Sequence, residues 1–328
     1  MTTGWASESA DPLMGDLLDR RLLFVTGKGG VGKTTAAAAL ALLAASRGKR
    51  TLVGEVDAKG NLADFYSTEP TNFTPRQIQP GLFALSMDTE ESLKEYLSLQ
   101  LKLPMMARIG PLAKVFEFVA TAAPGIKEVL TIGKFLWEVR EDNYDLVVVD
   151  AAPTGHVIGQ LAAPQAINEL VSVGLIRQQT DWMIDMLSDR DRTGLCIVAT
   201  PEEMPVNETI ELAGRITTET DVDLSAVIVN RVLPELFGRG EEEVFEAFDS
   251  DAGRKALTGE LGDEAGLILD AAQLAVNLRR TRAEHLARLR SSIGGSVPLL
   301  YVPELFSRSH GLRSTRLVAD ALSEELGY

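Results

Sequence analysis

Among the 328 residues, the stretch Gly27-Lys28-Gly29-Gly30-Val31-Gly32-Lys33-Thr34-Thr35 most narrows what the chain can fold into. It satisfies G-x-x-x-x-G-K-[ST]. A short apolar run, Leu22 to Thr26, precedes it, and a helix-forming run, Ala36 to Ala45, follows it. That is the strand–loop–helix setting this pattern needs. Glycines let backbone N–H groups turn inward on phosphate oxygens, and the start of the following helix adds its dipole. Lys33 can then reach the β- and γ-phosphates, while the Thr34 hydroxyl is placed to ligate Mg²⁺. Such a loop binds a nucleoside triphosphate.

Strand-like runs recur at Thr51–Val56, Leu82–Ser86, Leu146–Asp150, Leu195–Thr200, Leu224–Asn230 and Pro298–Val302. Their near-continuous Val, Ile and Leu content means burial on both faces. The expected fold is therefore α/β, a mostly parallel, doubly wound sheet of the P-loop NTPase kind with helices on each side. Two helical stretches interrupt the alternation. Glu90 to Arg140 is punctuated by Pro104, Pro111 and Pro124-Gly125, and Gln165 to Arg192 follows later. Together, roughly 90–140 and 165–192, they are expected to form a helical subdomain inserted into a single ATPase domain over 21–328, behind a flexible N-terminus of about twenty residues. A third stretch, Glu241 to Arg290, is acidic at its start and basic at its end, and reads as a solvated helical face. No internal repeat is found, so the loop is present as a single copy.

Composition excludes several classes. Net charge is −15, which argues against nucleic-acid binding and against attraction to anionic lipid. No apolar run approaches the ~18 residues of a membrane span, so no stable membrane insertion is expected. The N-terminal segment, with Asp11, Asp16 and Asp19, lacks the basic and apolar regions of a signal peptide, and a cytoplasmic location is expected. The single cysteine, Cys196, lies in the apolar run Leu195 to Ala199 and is expected to be a buried thiol.

Two acidic residues close apolar runs behind the loop, Asp57 in Glu55-Val56-Asp57-Ala58-Lys59-Gly60-Asn61 and Asp150 in Val147-Val148-Val149-Asp150-Ala151-Ala152-Pro153-Thr154-Gly155-His156. Acids at the C-terminal ends of parallel strands point into the crevice where ligands bind. Asp150 fits the second acidic element of P-loop enzymes, which holds Mg²⁺ directly or through water. Pro153-Thr154-Gly155 reads as loop, with Gly155 a hinge near the γ-phosphate.

With these residues in view, the chain resembles the ArsA/Get3 ATPases, dimeric members of the group with an extra lysine early in the P-loop. The resemblance rests on Lys28 within the loop, the Asp57 segment and Asp150-Ala151-Ala152-Pro153-Thr154-Gly155-His156. It also rests on Asn230 in Ile228-Val229-Asn230-Arg231-Val232-Leu233-Pro234 and on Val302-Pro303-Glu304-Leu305 before His310-Gly311-Leu312. It implies Mg²⁺-dependent hydrolysis of ATP, with Gly27 to Thr35 around the phosphates, and Asn230 and Pro303 at the nucleotide's adenine end. It implies that Lys28 crosses a dimer interface to the partner's ATP, and that Asp57 orients or deprotonates the attacking water. Asp150 would support Mg²⁺ and couple γ-phosphate loss to the Pro153–His156 loop. The implied assembly is a homodimer, or a heterodimer with a related subunit, that handles a protein or membrane-associated client.

The departures are specific. The family's Asp-Pro-Ala-His is here Asp57-Ala58-Lys59-Gly60, and one cysteine cannot build a Cys-x-x-Cys zinc clamp or a cysteine metalloid site. The leading expectation is an ATP-hydrolysing switch whose client surface includes Leu97, Leu99, Leu101, Leu103, Met105, Met106, Phe116, Phe118 and Val119. The alternatives are the ATPase subunit of an anion efflux pump and a ParA/MinD-like positioning ATPase. The acidic C-terminal Leu317–Leu326 lacks the basic amphipathic helix that a MinD-like membrane contact needs.

Overall fold

Alternation of side chains along buried strands builds the core on both faces of one sheet. The computed structural model describes residues 14–57, 61–101, 125–171, 173–235, 237–262, 264–295, 297–306 and 311–328. The strands are β1 (Leu22–Gly27), β2 (Thr51–Glu55), β3 (Arg76–Gln79), β4 (Leu82–Ser86), β5 (Leu146–Asp150), β6 (Thr193–Ala199), β7 (Leu224–Val232) and β8 (Leu299–Pro303). They form one sheet in the order β3-β4-β2-β5-β1-β6-β7-β8, parallel throughout except for the β3–β4 pair. The helices are α1 (Lys33–Ser46), α2 (Asn61–Tyr66), α3 (Thr89–Leu101), α4 (Ile126–Arg140), α5 (Thr154–Leu170) and α6 (Leu175–Ser188). They continue with α7 (Glu203–Glu219), α8 (Arg239–Asp249), α9 (Asp251–Leu261), α10 (Glu264–Ile293) and α11 (Leu312–Glu325).

Because successive strand residues face opposite ways, Leu23 and Val25 of β1 join Val53, Val148, Cys196 and Val198 on one face. There they meet the alanines of α1 and Val318 and Leu322 of α11. Leu22 and Phe24 join Leu52, Val147, Val149, Leu195 and Ile197 on the other face, under Phe135 of α4, Leu161 of α5, Leu187 of α6 and Ile216 of α7. The doubly wound sheet expected from the strand pattern is the one observed. Alanine dominates α1 because this helix is covered on nearly all sides; Ala36 to Ala41 are all buried.

Four local expectations are corrected. First, β3 was missed: Arg76-Gln77-Ile78-Gln79 is an edge strand with little apolar content, paired antiparallel to β4 across Pro80-Gly81. Gly81 there takes φ +73°, and this Pro-Gly turn between two runs was the available signal. Second, α5 begins at Thr154, not near Gln165, and runs through Pro164. A proline inside a helix costs about 3 kcal/mol, but burial of Val157, Ile158, Leu161 and Pro164 itself against the sheet offsets that loss. Third, Thr154 and Gly155 consequently start a helix instead of forming a loop. Fourth, the basic end of the third stretch is not simply solvated. Arg280 pairs with Glu246 at 2.7 Å, Arg279 with Glu235 at 3.4 Å and Arg282 with Glu202 at 3.6 Å. The proposed client residues Leu97 to Val119 lie outside the residues whose side chains are described.

Candidate nucleotide site

The loop from Gly27 to Gly32 connects the C-terminal end of β1 to α1. The chain leaves β1 for β2 on the β5 side, whereas the strands after β5 lie on the other side of β1, so the order reverses beside this loop. Ligands bind at such switch points of open parallel sheets. Gly30 and Gly32 take φ of +89° and +96°, the left-handed region that favours glycine. A Cβ on Gly27 would lie 2.2 Å from the carbonyl oxygen of Val198, while Cβ atoms on Gly29 and Gly30 would meet nothing within 4 Å. The loop is thus tight against the protein at its base and open along its outer side. The first bond of α1 runs from Ala36 N–H to Gly32 C=O at 3.0 Å. The N–H groups ahead of it have no partner within the helix and face an incoming anion.

The two acidic strand ends meet this loop. Register places Asp150 beside Val25 of β1 and Glu55 of β2. The Thr34 hydroxyl donates to Asp150 Oδ2 at 2.6 Å, and Asp150 Oδ1 is buried with no hydrogen-bond partner. Burial raises the Asp150 carboxyl to about 6; the Thr34 hydrogen bond and the Lys33 charge oppose this, and Glu55 and Asp57 add to it. A buried carboxylate with one orphaned oxygen, beside a threonine hydroxyl and two further acids, suits a divalent cation carrying waters. The residues present therefore fit Mg²⁺ as well as a triphosphate. Asp57 follows β2, is exposed, and lies close enough to act on Asp150; Ala58, Lys59 and Gly60 lie outside the described residues.

The segment after Asp150 is tied to β1. Ala151 N–H donates to Val25 C=O at 2.9 Å, and the buried Thr26 hydroxyl donates to Ala152 C=O at 2.7 Å. His156 is exposed. Asn230, at the end of β7, faces the loop: its Nδ2 donates to Val31 C=O at 2.8 Å, and its Oδ1 accepts from Arg231 N–H at 2.9 Å. The same amide lies 2.3 Å from where a Cβ on Gly32 would sit, so Asn230 braces the loop from beneath. Pro303 closes β8 beside Val232, exposed and further out.

One residue of this region escaped the sequence reading. Glu208 of α7 accepts from Lys28 Nζ at 2.5 Å on one carboxylate oxygen and from the Thr154 hydroxyl at 3.3 Å on the other. No local pattern marks it. Its only sequence signal is position, since a helix that follows the end of β6 starts at the same edge of the sheet as the P-loop.

The chain matches the family model described as anion-transporting ATPase over residues 20–184 and 173–248. It is 33% identical over 304 residues to ATPase BagA of Mycobacterium tuberculosis, covering 87% of this chain and 86% of that protein. It is 27% identical over 270 residues to ATPase ASNA1 homolog 1 of Paramecium tetraurelia, covering 69% and 80%. It is 30% identical over 167 residues to ATPase GET3 of Podospora anserina, covering 49% of each. With the P-loop, its acidic neighbours and the doubly wound sheet, these likenesses place the chain in the anion-transporting ATPase family, as an ArsA/Get3-type ATPase.

Proposed function

We propose that the chain is a Mg²⁺-dependent ATP switch that works as a dimer and couples hydrolysis to handling a protein or membrane-associated client. The observation that carries this reading is the contact of Thr34 with Asp150, whose second, buried oxygen has no partner. Mg²⁺ beside Thr34 and Asp150 would neutralise charge on the β- and γ-phosphates. Backbone N–H groups of Gly29 to Thr35 and the Lys33 ammonium would hold the phosphates, Asn230 would brace their loop through the Val31 carbonyl, and Pro303 would flank the adenine end. Asp57 would align the attacking water and take its proton. Lys28 would supply positive charge to the partner's transferring phosphoryl group, as an arginine finger does.

Client handling is supported by similarity to relatives named for ASNA1 and GET3. A thiol-based metalloid cargo is not supported, because Cys196 is fully buried and its thiol is pushed up to about 12 by that burial.

Mixing two inactive variants tests the dimer. Lys28→Ala should bind ATP and lose about 10³-fold in kcat, the scale of a lost trans cation. Asp57→Asn should bind ATP and turn over at least ~10²-fold more slowly. In a mixed dimer the Lys28→Ala subunit keeps Asp57 and receives Lys28 from its partner, so activity should recover at one site. Absence of recovery, with subunit exchange confirmed by mass, would refute a trans role for Lys28.

A further inference from the structure

The structure assigns Glu208 as a gate on Lys28: it holds the lysine's charge within its own subunit and links that hold to the segment following Asp150. The assignment rests on the dimeric reading above, in which Lys28 acts on the partner's nucleotide. Both side chains of the pair are about one third exposed, 31% each, at a contact of 2.5 Å. An ammonium so held has its charge offset. Its Nζ cannot move to a phosphate on a second subunit without leaving the carboxylate.

Geometry also says what could release it. The other oxygen of Glu208 takes the Thr154 hydroxyl at 3.3 Å. Thr154 is the first residue of α5, four residues after Asp150, which holds the Thr34 hydroxyl, and two after Ala152, whose carbonyl is pinned by Thr26. Four consecutive peptide bonds therefore join the cation-facing carboxylate to the group that shares Glu208 with Lys28. Any displacement of that segment by a bound γ-phosphate or its Mg²⁺ pulls on Glu208 through Thr154. Glu208 touches Lys28 and Thr154 and acts through the lysine, so it is a positioning residue.

The size of the effect follows from exposure. Partly exposed ion pairs contribute about a 1.5- to 5-fold bias in an equilibrium. A symmetric dimer breaks two of them, so the bias on assembly is the square, roughly 2- to 25-fold.

The test is turnover of the full-length protein as a function of its own concentration, with Mg²⁺ and saturating ATP, and mass by sedimentation under the same conditions. Glu208→Gln keeps the shape and removes the charge. It should lower the protein concentration for half-maximal turnover by about 2- to 25-fold, leaving maximal turnover within about twofold of the parent. Glu208→Asp, which retains the charge on a shorter arm, should fall between the two. Without nucleotide, Lys28 in Glu208→Gln should be modified faster by an amine-directed acylating reagent, read by mass spectrometry on the folded protein.

If Glu208→Gln has the parent's concentration dependence and Lys28 reactivity while Lys28→Ala is inactive, the gate is refuted and the dimeric reading survives. A lower maximal turnover at unchanged assembly also refutes the gate, since Glu208 would then support the active arrangement. If parental turnover per subunit is independent of concentration and the mass with ATP stays that of a monomer, the dimeric reading fails and takes the gate with it.

Discussion

Asn230 and Gly32 show how single residues divide the work at the loop. Gly32 provides a backbone turn that a side chain cannot follow, at φ +96° and with only 2.3 Å between an added Cβ and the Asn230 amide. Asn230 then satisfies the Val31 carbonyl that this turn directs inward, at 2.8 Å. Replacing Asn230 by Ala leaves that carbonyl without its partner, a loss of about 1 kcal/mol, or roughly fivefold in a binding constant. ATP and GTP should both weaken by about that factor in competition binding, since the phosphate loop serves either base. A much larger loss for ATP alone would make the amide a direct contact to adenine. Gly32→Ala should weaken both nucleotides by tenfold or more, and Asn230→Ala should not rescue it, because removing the clash leaves the left-handed φ unchanged.

Elements meet with little spare room. β2 passes under α4 at Gly54, where an added Cβ would fall 2.2 Å from Phe135 Cε1. Phe135 is itself fully buried in the core of the second face. Gly54→Ala should destabilise the fold by about 1–3 kcal/mol through overpacking. Phe135→Leu should also destabilise it, by opening space. Together the two changes should cost at least ~1 kcal/mol less than their sum, because each relieves the other's defect. Urea unfolding of the four proteins measures this coupling, and strict additivity would mean that strand and helix shift apart to absorb the methyl group. Helices α4 and α6 fall within stretches read as helical from the sequence, while their boundaries and packing depend on close approaches of this kind. Pro164 reads locally as a break, yet α5 passes through it because the sheet face rewards a continuous apolar stripe.

Across the whole molecule, among the described residues, burial raises several groups whose ionisation opposes folding at high pH, and Cys196 and Tyr66 are the most enclosed of them. Cys196 in central strand β6 is completely enclosed, and burial, with the Arg20 charge opposing and Asp223 adding, pushes its thiol up to about 12 from 9.0. Burial raises the Tyr66 phenol as well, while its hydroxyl donates to Ala38 C=O at 2.8 Å. In the unfolded chain the thiol ionises above pH 9, whereas in the native protein it stays neutral. The stability it contributes is therefore full below pH 9 and is lost as pH rises toward 12. The urea midpoint should fall between pH 9 and 11, and fall less steeply in Cys196→Ala. At pH 8 the native thiol should resist maleimide and react fully once unfolded. Rapid labelling of the native protein would contradict its burial.

Strand content, the P-loop, Asp150 and the doubly wound class were legible in the sequence because each depends on local information: apolar runs, glycine spacing and an acid closing a strand. The polar edge strand β3, the helix through Pro164, the bracing role of Asn230 and the contacts of Glu208 were not. Each of these depends on what the fold brings alongside, and Lys28 and Glu208 are 180 residues apart along the chain. Glycine spacing along the chain is enough to say which backbone can cradle a phosphate. Which carboxylate faces Lys28 is settled by the order of β1 and β6 in the sheet, because that order sets which helix starts beside the loop.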